Sequence, residues 1–358
     1  MKLLLFPFTL IYQLVLSIRH LLFNLGILHS ESFEIPVISV GNLSMGGTGK
    51  TPHIEYLVRL LKKNYRVAIL SRGYGRKTKG FVLGNDQMTS MEIGDEPKQY
   101  LQKFSDITVA VDEKRRNGIR KLLNSPNSPH LILLDDAFQH RYVKPGLNIL
   151  LTDYHNLYTK DYIVPAGNLR DNISAAKRAD IIVVTKTPAI FSPFIERDLY
   201  ASIKPTPDQK LFFSYIQYGN LTSVVKSNKI YVPRSIGTIL LLTGIANPYP
   251  LKEYLNDKCN DIMHMDFPDH HPYTEKDFQK IASNFDSIIG KNKMIVTTEK
   301  DAMRLTDSPY FRTLENLPLF FVPIEIRFHD RGGSSFDEML LEYVRKNHEN
   351  YRLYSGKS

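Results

Sequence analysis

One stretch limits what this chain can become more than any other: an apolar segment that runs into a glycine-rich turn and then into a helix-favouring segment. Residues 37–52 read Val-Ile-Ser-Val-Gly-Asn-Leu-Ser-Met-Gly-Gly-Thr-Gly-Lys-Thr-Pro. Gly46, Gly47 and Gly49 let the backbone curl so that successive N–H groups point inward at a phosphate chain, beside the positive end of the following helix. The order of strand, loop and helix therefore predicts a phosphate-binding loop.

The predicted nucleotide-binding residues are the eight consecutive positions Ser44, Met45, Gly46, Gly47, Thr48, Gly49, Lys50 and Thr51. We expect Lys50 to reach the β- and γ-phosphates of a bound nucleoside triphosphate, which makes it a catalytic candidate, and Thr51 to place its hydroxyl on a magnesium ion. Ser44 stands where the usual pattern has glycine, and a serine resists a positive φ angle. The alternative is an ordinary glycine-rich turn before a helix, which the complete Gly-Lys-Thr sequence in its strand–helix setting disfavours.

Composition sets broad limits on the class of protein. The 358 residues are enough for two domains, and 46 Lys and Arg against 37 Asp and Glu give a formal charge of +9. That excess suits an anionic partner, such as a nucleotide, a phosphorylated lipid or a membrane surface, without choosing among them. Cys259 is the single cysteine, which excludes intrachain disulfides and multi-cysteine metal sites and is compatible with a reducing cytoplasm.

The N-terminal residues 1–28 are predicted to form a membrane-associated helix. Residues 3–18 carry no charge, but sixteen helical residues rise only about 24 Å, short of a hydrocarbon core of about 30 Å. Polar residues recur along one helical face, at Thr9, Gln13, Ser17, His20 and Asn24. This stripe favours an interfacial helix lying on a membrane over a signal peptide or a buried core helix.

Short apolar strands alternate with helical spans from position 36 onward, which indicates a mostly parallel sheet covered on both faces. We therefore predict an α/β protein with a P-loop NTPase-type domain over residues 29–208. A proline-bearing region leads to a linker at about 209–222, and a second, smaller α/β domain follows over 223–358, closing with a helix near 335–346.

Two aspartates follow the apolar run Leu-Ile-Leu-Leu at 131–134. Carboxylates at the end of a strand beside a phosphate loop bind magnesium directly or through water, so Asp135 and Asp136 are predicted metal residues. A charged strand end that caps the next turn is the simpler alternative. Arg72 lies in a Gly-rich basic segment after another strand, which indicates either a phosphate contact or a solvated turn.

Asp95 and His270 are candidates for the acid–base chemistry. Asp95 opens a helix after Gly94 and could be an N-cap or first-turn residue, whereas His270 and His271 lie in a loop of the second domain. Transfer of a phosphoryl group to a hydroxyl benefits from a carboxylate or imidazole that accepts the proton, so a cleft joining these segments would hold its base. No zinc motif accompanies them. Elsewhere in the chain, Thr185 and Pro188 stand where GTP-binding proteins carry the Asn and Asp that read guanine, so GTP specificity is not supported.

Seven segments, in order along the chain, resemble the tetraacyldisaccharide 4′-kinase family of the lipid A pathway. They are Gly-Asn-Leu-Ser through Pro (41–52), Ser-Arg-Gly-Tyr-Gly-Arg (71–76), Gly-Asp-Glu-Pro (94–97), Asp-Asp-x-Phe-Gln-His (135–140), Pro-Ala-Gly-x-Leu-Arg (165–170), Asp-His (269–270) and Thr-Glu-Lys-Asp-Ala (298–302). The resemblance implies transfer of the γ-phosphoryl of ATP, with Mg²⁺, to the 4′-hydroxyl of a tetraacylated glucosamine disaccharide 1-phosphate. It also implies a location on the cytoplasmic face of the bacterial inner membrane.

The same resemblance implies individual roles. Asp95 would accept the proton with help from His270, and Arg72, Arg170 and Asp171 would face the substrate or phosphate charge. Two positions depart from the family pattern: Ala137 stands where glycine is usual, and Asp171 where glutamate is usual.

A membrane-associated P-loop switch ATPase of the partitioning type is the alternative function. Its members generally place a lysine directly before the paired glycines, and this chain has Met45 there. No nucleic-acid partner is expected, since no recognition motif accompanies the positive charge.

Overall fold

The computed structural model describes residues 2–225, 235–269, 271–330 and 335–355. The chain divides into two compact units, Met1–Ile216 with Ile326–Ser358, and Gln217–Glu325. The strands are β1 Val37–Asn42, β2 Val67–Ser71, β3 Val82–Leu83, β4 Thr108–Val111, β5 Leu131–Asp135, β6 Leu147–Asp153, β7 Ile181–Thr185, β8 Lys210–Tyr218, β9 Thr222–Ser223, β10 Ile236–Thr243, β11 Cys259–Asp266, β12 Lys293–Thr298, β13 Leu319–Val322 and β14 Ile324–Phe328. The helices are α1 Lys2–Asn24, α2 Lys50–Leu61, α3 Ser90–Ile93, α4 Asp95–Lys103, α5 Arg115–Leu123, α6 Pro193–Ile203, α7 Tyr249–Asn256, α8 Glu275–Ser287, α9 Glu299–Thr306 and α10 Phe336–Ser355.

The first unit is built on a nine-stranded sheet in the order β14-β8-β7-β6-β1-β5-β2-β4-β3. The central strand β1 pairs in parallel with β5 and β6, while β3 at the edge is antiparallel to β4. Every residue of β1, β2, β5 and β7 is buried, as expected for strands covered on both faces. The predicted α/β class and mostly parallel sheet are confirmed.

The boundaries of the two units differ from those predicted. The segment expected to be a linker at 209–222 is largely β8, which pairs in parallel with β7 from Ile181 and Lys210 onward. Residues 326–355, expected in the second domain, belong to the first unit, where Phe336, Leu340 and Val344 of α10 join its core. Their spacing of four residues indicates a buried helical face but contains no information on which sheet that face will cover.

The second unit contains a five-stranded sheet in the order β11-β10-β12-β13-β9. Strand β10 pairs in parallel with β11 and β12, and β9 closes the edge antiparallel to β13. Leu240 and Leu242 of β10 pack with Phe278 and Ile281 of α8 on one face, and Ile239 and Leu241 pack with α7 on the other. Alternating residues of one strand thus supply both cores.

Candidate active site

The glycine-rich loop joins the end of β1 at Asn42 to the start of α2 at Lys50. Its left-handed backbone angles fall on glycines, with φ of 106° at Gly46 and 85° at Gly49. Ser44 is not one of the described residues with positive φ; it is buried and bridges to Leu169 instead. The serine therefore occupies the loop without backbone strain.

Side chains from three directions fix the loop. Asn42 Nδ2 donates to Thr48 Oγ1 at 2.8 Å, and Thr185 Oγ1 at the end of β7 donates to the carbonyl of Thr48 at 2.9 Å. Beneath the loop, His53 is bonded through Nδ1 to the carbonyl of Gly49 at 2.7 Å and through Nε2 to Ser214 Oγ at 3.0 Å. Burial lowers the pKa of His53 to about 4, so the imidazole is a neutral structural group at physiological pH.

Two cations converge on Asp136. Lys50 Nζ lies 3.7 Å from Asp136 Oδ1 and 3.4 Å from Asn42 Oδ1. Arg170 donates to Asp136 with both terminal guanidinium nitrogens, Nη1 to Oδ2 at 2.9 Å and Nη2 to Oδ1, and Nη2 also contacts Asn42 Oδ1. Burial acts to raise the pKa of Asp136, but the Arg170 hydrogen bond and the charge of Lys50 outweigh it, so the pKa lies below its ordinary value.

The neighbouring Asp135 has a different environment. It is 4 % exposed and accepts a hydrogen bond from Ser71 Oγ at 3.3 Å. Burial, followed by the charges of Asp136 and Glu96, raises the pKa of Asp135 to about 7 although Lys50 acts in the opposite direction. The two adjacent carboxylates are therefore unlike: Asp136 is neutralised by cations of the protein, while the charge of Asp135 is only partly compensated.

The difference between the two carboxylates affects which of them would bind a metal ion. Asp135, Asp136 and Thr51 supply the oxygen atoms that Mg²⁺ prefers, and Mg²⁺ commonly takes only one or two carboxylates together with substrate phosphates. Across the described parts of the chain, there is no cluster of three or more His, Cys, Asp or Glu side chains that could hold a metal ion by itself. Of Asp135, Asp136 and Thr51, it is Asp135, a buried carboxylate with a raised pKa, whose negative charge an added cation would balance.

The structure brings the Arg72 and Asp95 segments to the same edge of the sheet. Arg72 is exposed and directly follows Ser71, whose hydroxyl contacts Asp135. Asp95 is half-buried at the first position of α4, and an added Cβ on the preceding Gly94 would lie only 3.0 Å from the carbonyl of Tyr74. The helix that carries Asp95 thus begins against the basic turn that carries Arg72.

Two predicted residues have other outcomes. His270 lies outside the described residues, whereas its neighbour His271 is bonded to Asp277 Oδ2 at 3.0 Å within the second unit. Asp171 is fully buried and contacts His20 and Arg178, at 2.5 and 3.1 Å. The contacts of Asp171 connect it to α1 rather than to the phosphate loop.

The left-handed residue of this turn is Asp136 and not Ala137, which stands where glycine is usual in the family pattern. Asp136 has a φ of 48°, and Ala137 is not one of the described residues with positive φ. Aspartate tolerates this left-handed conformation better than most residues, so the backbone turn does not require glycine at position 137.

The sequence analysis assigned no role to four residues that the structure places at the site. Asn42 and Thr185 hold the loop, Gln139 Nε2 donates to the carbonyl of Asn42 at 2.7 Å, and Arg115 Nη2 donates to the carbonyl of Asp135 at 3.3 Å. Asn42 and Gln139 lie inside the quoted motifs, but as neutral amides they carry no charge pattern to single them out. Nothing in the sequence indicates that Arg115 is buried. Burial lowers the pKa of its guanidinium to about 10.

Four of the five residues in the predicted polar stripe of α1 bond to other parts of the first unit, whereas Gln13 is exposed. Thr9 Oγ1 accepts from the amide of Ala166 at 3.1 Å, and Ser17, His20 and Asn24 also bond to residues of the first unit. The opposite face is apolar and exposed, with exposed fractions of 63 % for Ile11 and 60 % for Leu14. Among the described residues, Leu5–Asn24 is the one helical segment long and apolar enough to cross a membrane, with a mean hydropathy of 1.4.

Comparison with known proteins gives a consistent result. The model of the family described as LpxK, tetraacyldisaccharide-1-P 4′-kinase, matches residues 1–345. The tetraacyldisaccharide 4′-kinase of Flavobacterium johnsoniae is 46 % identical over 349 residues, covering 96 % of this chain and 98 % of that protein. The enzyme of the same name from Bacteroides thetaiotaomicron is 44 % identical over 357 residues, covering 97 % and 94 %.

A solved structure agrees with these sequence relatives. LpxK from Aquifex aeolicus, determined in complex with ATP, superposes with a TM-score of 0.71 at 28 % identity. The alignment covers 97 % of this chain and 99 % of that one. The likeness therefore extends over both units.

Proposed function

Because this chain belongs to the tetraacyldisaccharide-1-phosphate 4′-kinase family, we propose that it transfers the γ-phosphoryl group of ATP to the 4′-hydroxyl of a tetraacyldisaccharide 1-phosphate, a precursor of lipid A. The single observation that carries the proposal is the convergence of Lys50 and Arg170 on Asp136 beside the glycine-rich loop. Phosphoryl transfer is accelerated mainly by positioning and by charge stabilisation, and this arrangement supplies both.

The donor half of the site consists of the loop and its cations. Backbone N–H groups of residues 46–51 bind the phosphates, and Lys50 stabilises the charge that spreads over the transferring group. Arg170 is held in place by Asp136 and Asn42, which leaves its planar guanidinium at the rim of the loop. Asp136 serves as the positioning carboxylate for these two cations.

Asp135 and the hydroxyl of Thr51 are the residues that would hold Mg²⁺. The ion, when bound, neutralises charge on the β- and γ-phosphates. Asp135 fits this role better than Asp136, because the charge of Asp136 is already balanced by Arg170 and Lys50. Ser71 orients the Asp135 carboxylate from the side.

For the acceptor half, the proposed groups are Asp95 and His270, of which His270 lies outside the described residues. Asp95 accepts the proton of the 4′-hydroxyl as the phosphoryl group leaves ATP, and His270 assists it. Arg72, exposed on the adjoining turn, faces the negative charge of the acceptor or of the transferring group. Helix α1 presents its exposed apolar face to the cytoplasmic surface of the inner membrane, where an acylated acceptor resides.

The test is direct. Purified protein, ATP, Mg²⁺ and the acylated disaccharide acceptor in detergent micelles are mixed, and the product is analysed by mass spectrometry for a phosphate at the 4′ position. The Lys50→Met variant is the matched control, since it removes the cation while retaining most of the side-chain length. An ATPase rate that ignores the acceptor, with no phosphorylated lipid, would overturn the proposal and favour a nucleotide switch.

A further inference from the structure

Two short segments support Asn42, the residue that holds the phosphate loop. The segment 138–141 supplies Gln139, whose Nε2 donates to the carbonyl of Asn42 at 2.7 Å. The segment 168–172 supplies Arg170, whose Nη2 contacts both the carbonyl and the side-chain oxygen of Asn42. We call 138–141 and 168–172 the bracing segments. The positions of Thr48 and Lys50, both bonded to Asn42, follow from them.

The last turns of α1 contact both bracing segments. Arg19 Nη2 donates to the carbonyl of Gln139 at 3.1 Å. His20 Nε2 lies 2.5 Å from Asp171 Oδ1, and Asp171 directly follows Arg170 in the chain. Both contacts are made at the protein-facing side of the helix, away from its exposed apolar face.

The hydrogen bonds define the tautomer of His20. Arg141 Nη1 donates to His20 Nδ1 at 3.0 Å, so Nδ1 is the acceptor and Nε2 carries the hydrogen that it donates to Asp171. Arg178 Nη2 donates to the second oxygen of Asp171 at 3.1 Å and to the carbonyl of Phe138 at the same distance. Helix α1 is therefore bonded to both bracing segments, and Arg178 links the two segments to each other.

We propose that His20 and Arg19 are positioning residues of the kinase reaction, so that α1 supports the phosphate loop as well as contacting a lipid surface. His20 acts through Asp171 on the backbone that carries Arg170, and Arg19 acts through the backbone of Gln139. The inference rests on the proposed roles of Lys50 and Arg170, and it separates the function of the polar face of α1 from that of its apolar face.

The expected consequence is catalytic rather than a loss of nucleotide binding. Loss of the His20 contact removes one of the two donors to Asp171 Oδ1 and leaves the amide of Asn172, at 2.8 Å, as its partner. Because this carboxylate is 0 % exposed and cannot recover the lost bond from solvent, we expect residues 170–172 to shift. Displacements of about 1 Å in catalytic groups can cost about a hundredfold in rate. We expect His20→Ala to lower kcat by about 10- to 100-fold and to change the KM for ATP by less than threefold, because the loop N–H groups remain.

Four proteins test this: wild type, His20→Ala, His20→Gln and Leu21→Ala. Glutamine carries an Nε2 donor and should restore most of kcat, whereas Leu21, which is 54 % exposed on α1, changes only the apolar face. Kinetics are measured with the acceptor in detergent micelles, where attachment to a vesicle is not required. Hydrogen exchange of residues 42–50 in the unliganded proteins is the second readout; it should be at least fivefold faster in His20→Ala than in the other three.

Several results would overturn the inference. They are a His20→Ala protein with wild-type kcat, a His20→Gln protein impaired to the same degree, or unchanged exchange of residues 42–50. If His20→Ala does not fold, Arg19→Gln takes its place, with an expected three- to tenfold loss of kcat, and a wild-type rate for that variant is equally negative. Because hydrogen exchange needs no turnover, it tests the inference even if wild type forms no product, which would refute the proposed kinase function instead.

Discussion

Asp135→Asn should stabilise this protein at alkaline pH while abolishing the kinase activity for which we propose a Mg²⁺ ion at this carboxylate. The carboxylate is 4 % exposed, and the pKa of Asp135 is raised from 3.8 to about 7, first by burial and then by Asp136. Between these two values the folded protein binds a proton that the unfolded chain has released. Stability is therefore lost as the pH rises from about 4 to 7, and above pH 7 the native state carries the full cost of an ionised Asp135.

The size of the effect follows from the shift. A difference of about three pKa units at about 1.4 kcal/mol per unit corresponds to about 4 kcal/mol at most. An asparagine has nearly the same shape and no charge, and it can still accept the hydrogen bond from Ser71. At pH 8 we expect the variant to melt several degrees above wild type, on the order of 10 °C at the upper limit. The difference should shrink as the pH falls and nearly vanish only toward pH 4, because between pH 4 and 7 the unfolded wild-type chain has already released the proton that the folded protein keeps.

The assay is thermal unfolding of wild type and Asp135→Asn at pH 5, 6, 7 and 8, without nucleotide and then with Mg²⁺ and ATP. A cation that balances Asp135 competes with its proton, so stabilisation by Mg²⁺ and ATP should grow with pH in wild type and stay flat in the variant. Asp136→Asn is the matched control: it releases Lys50 and Arg170 from their shared partner and should lower stability at pH 8. An Asp135→Asn protein that melts at or below wild type at pH 8 would refute the reasoning.

Three further outcomes are expected. Asp95→Asn should lower kcat by about 10²- to 10⁴-fold with little change in ATP affinity, because a general base acts on the acceptor. Steady-state kinetics measure kcat and nucleotide titration measures the affinity, and unchanged turnover would remove Asp95 from the mechanism. Ile11→Glu with Leu14→Glu should release the protein from lipid vesicles in sedimentation while kcat in micelles is retained, since both side chains are exposed. Ala137→Gly should lower the free energy of unfolding by about 0.5–1 kcal/mol without changing kcat, because only Asp136 has a positive φ there; higher activity would show that the alanine constrains the turn.

Much of the first unit was predictable because its signals are local. The strand, the glycines and the Gly-Lys-Thr residues of the loop are adjacent in the chain, and buried parallel strands are recognisable as short apolar runs. The ends of β5 and β7 fell where the apolar runs ended, at Asp135 and Thr185. The boundary of the second unit was harder to predict, because α10 packs on a sheet whose strands are far from it in the sequence.

Helix α1 shows the same division. Its residues predict an amphipathic helix with a narrow polar stripe, a pattern typical of a helix that lies on a membrane. Only the tertiary contacts reveal that Thr9, Ser17, His20 and Asn24 bond to the first unit and that the apolar face is the exposed one. A periodic pattern indicates that a helix has two unlike faces, but the residues that the polar face contacts lie more than a hundred positions away in the chain.

The sequence by itself determined the chemistry available at the site: a phosphate loop, two carboxylates after a buried strand, and the cations around them. The tertiary structure decided how that chemistry is divided. Asp135 and Asp136 are the same residue type in adjacent positions, yet Arg170 and Lys50 neutralise one and burial leaves the other poorly compensated. The physical reason is that the charge state of a carboxylate depends on the solvent and the charges around it, and those surroundings exist only once distant segments have come together.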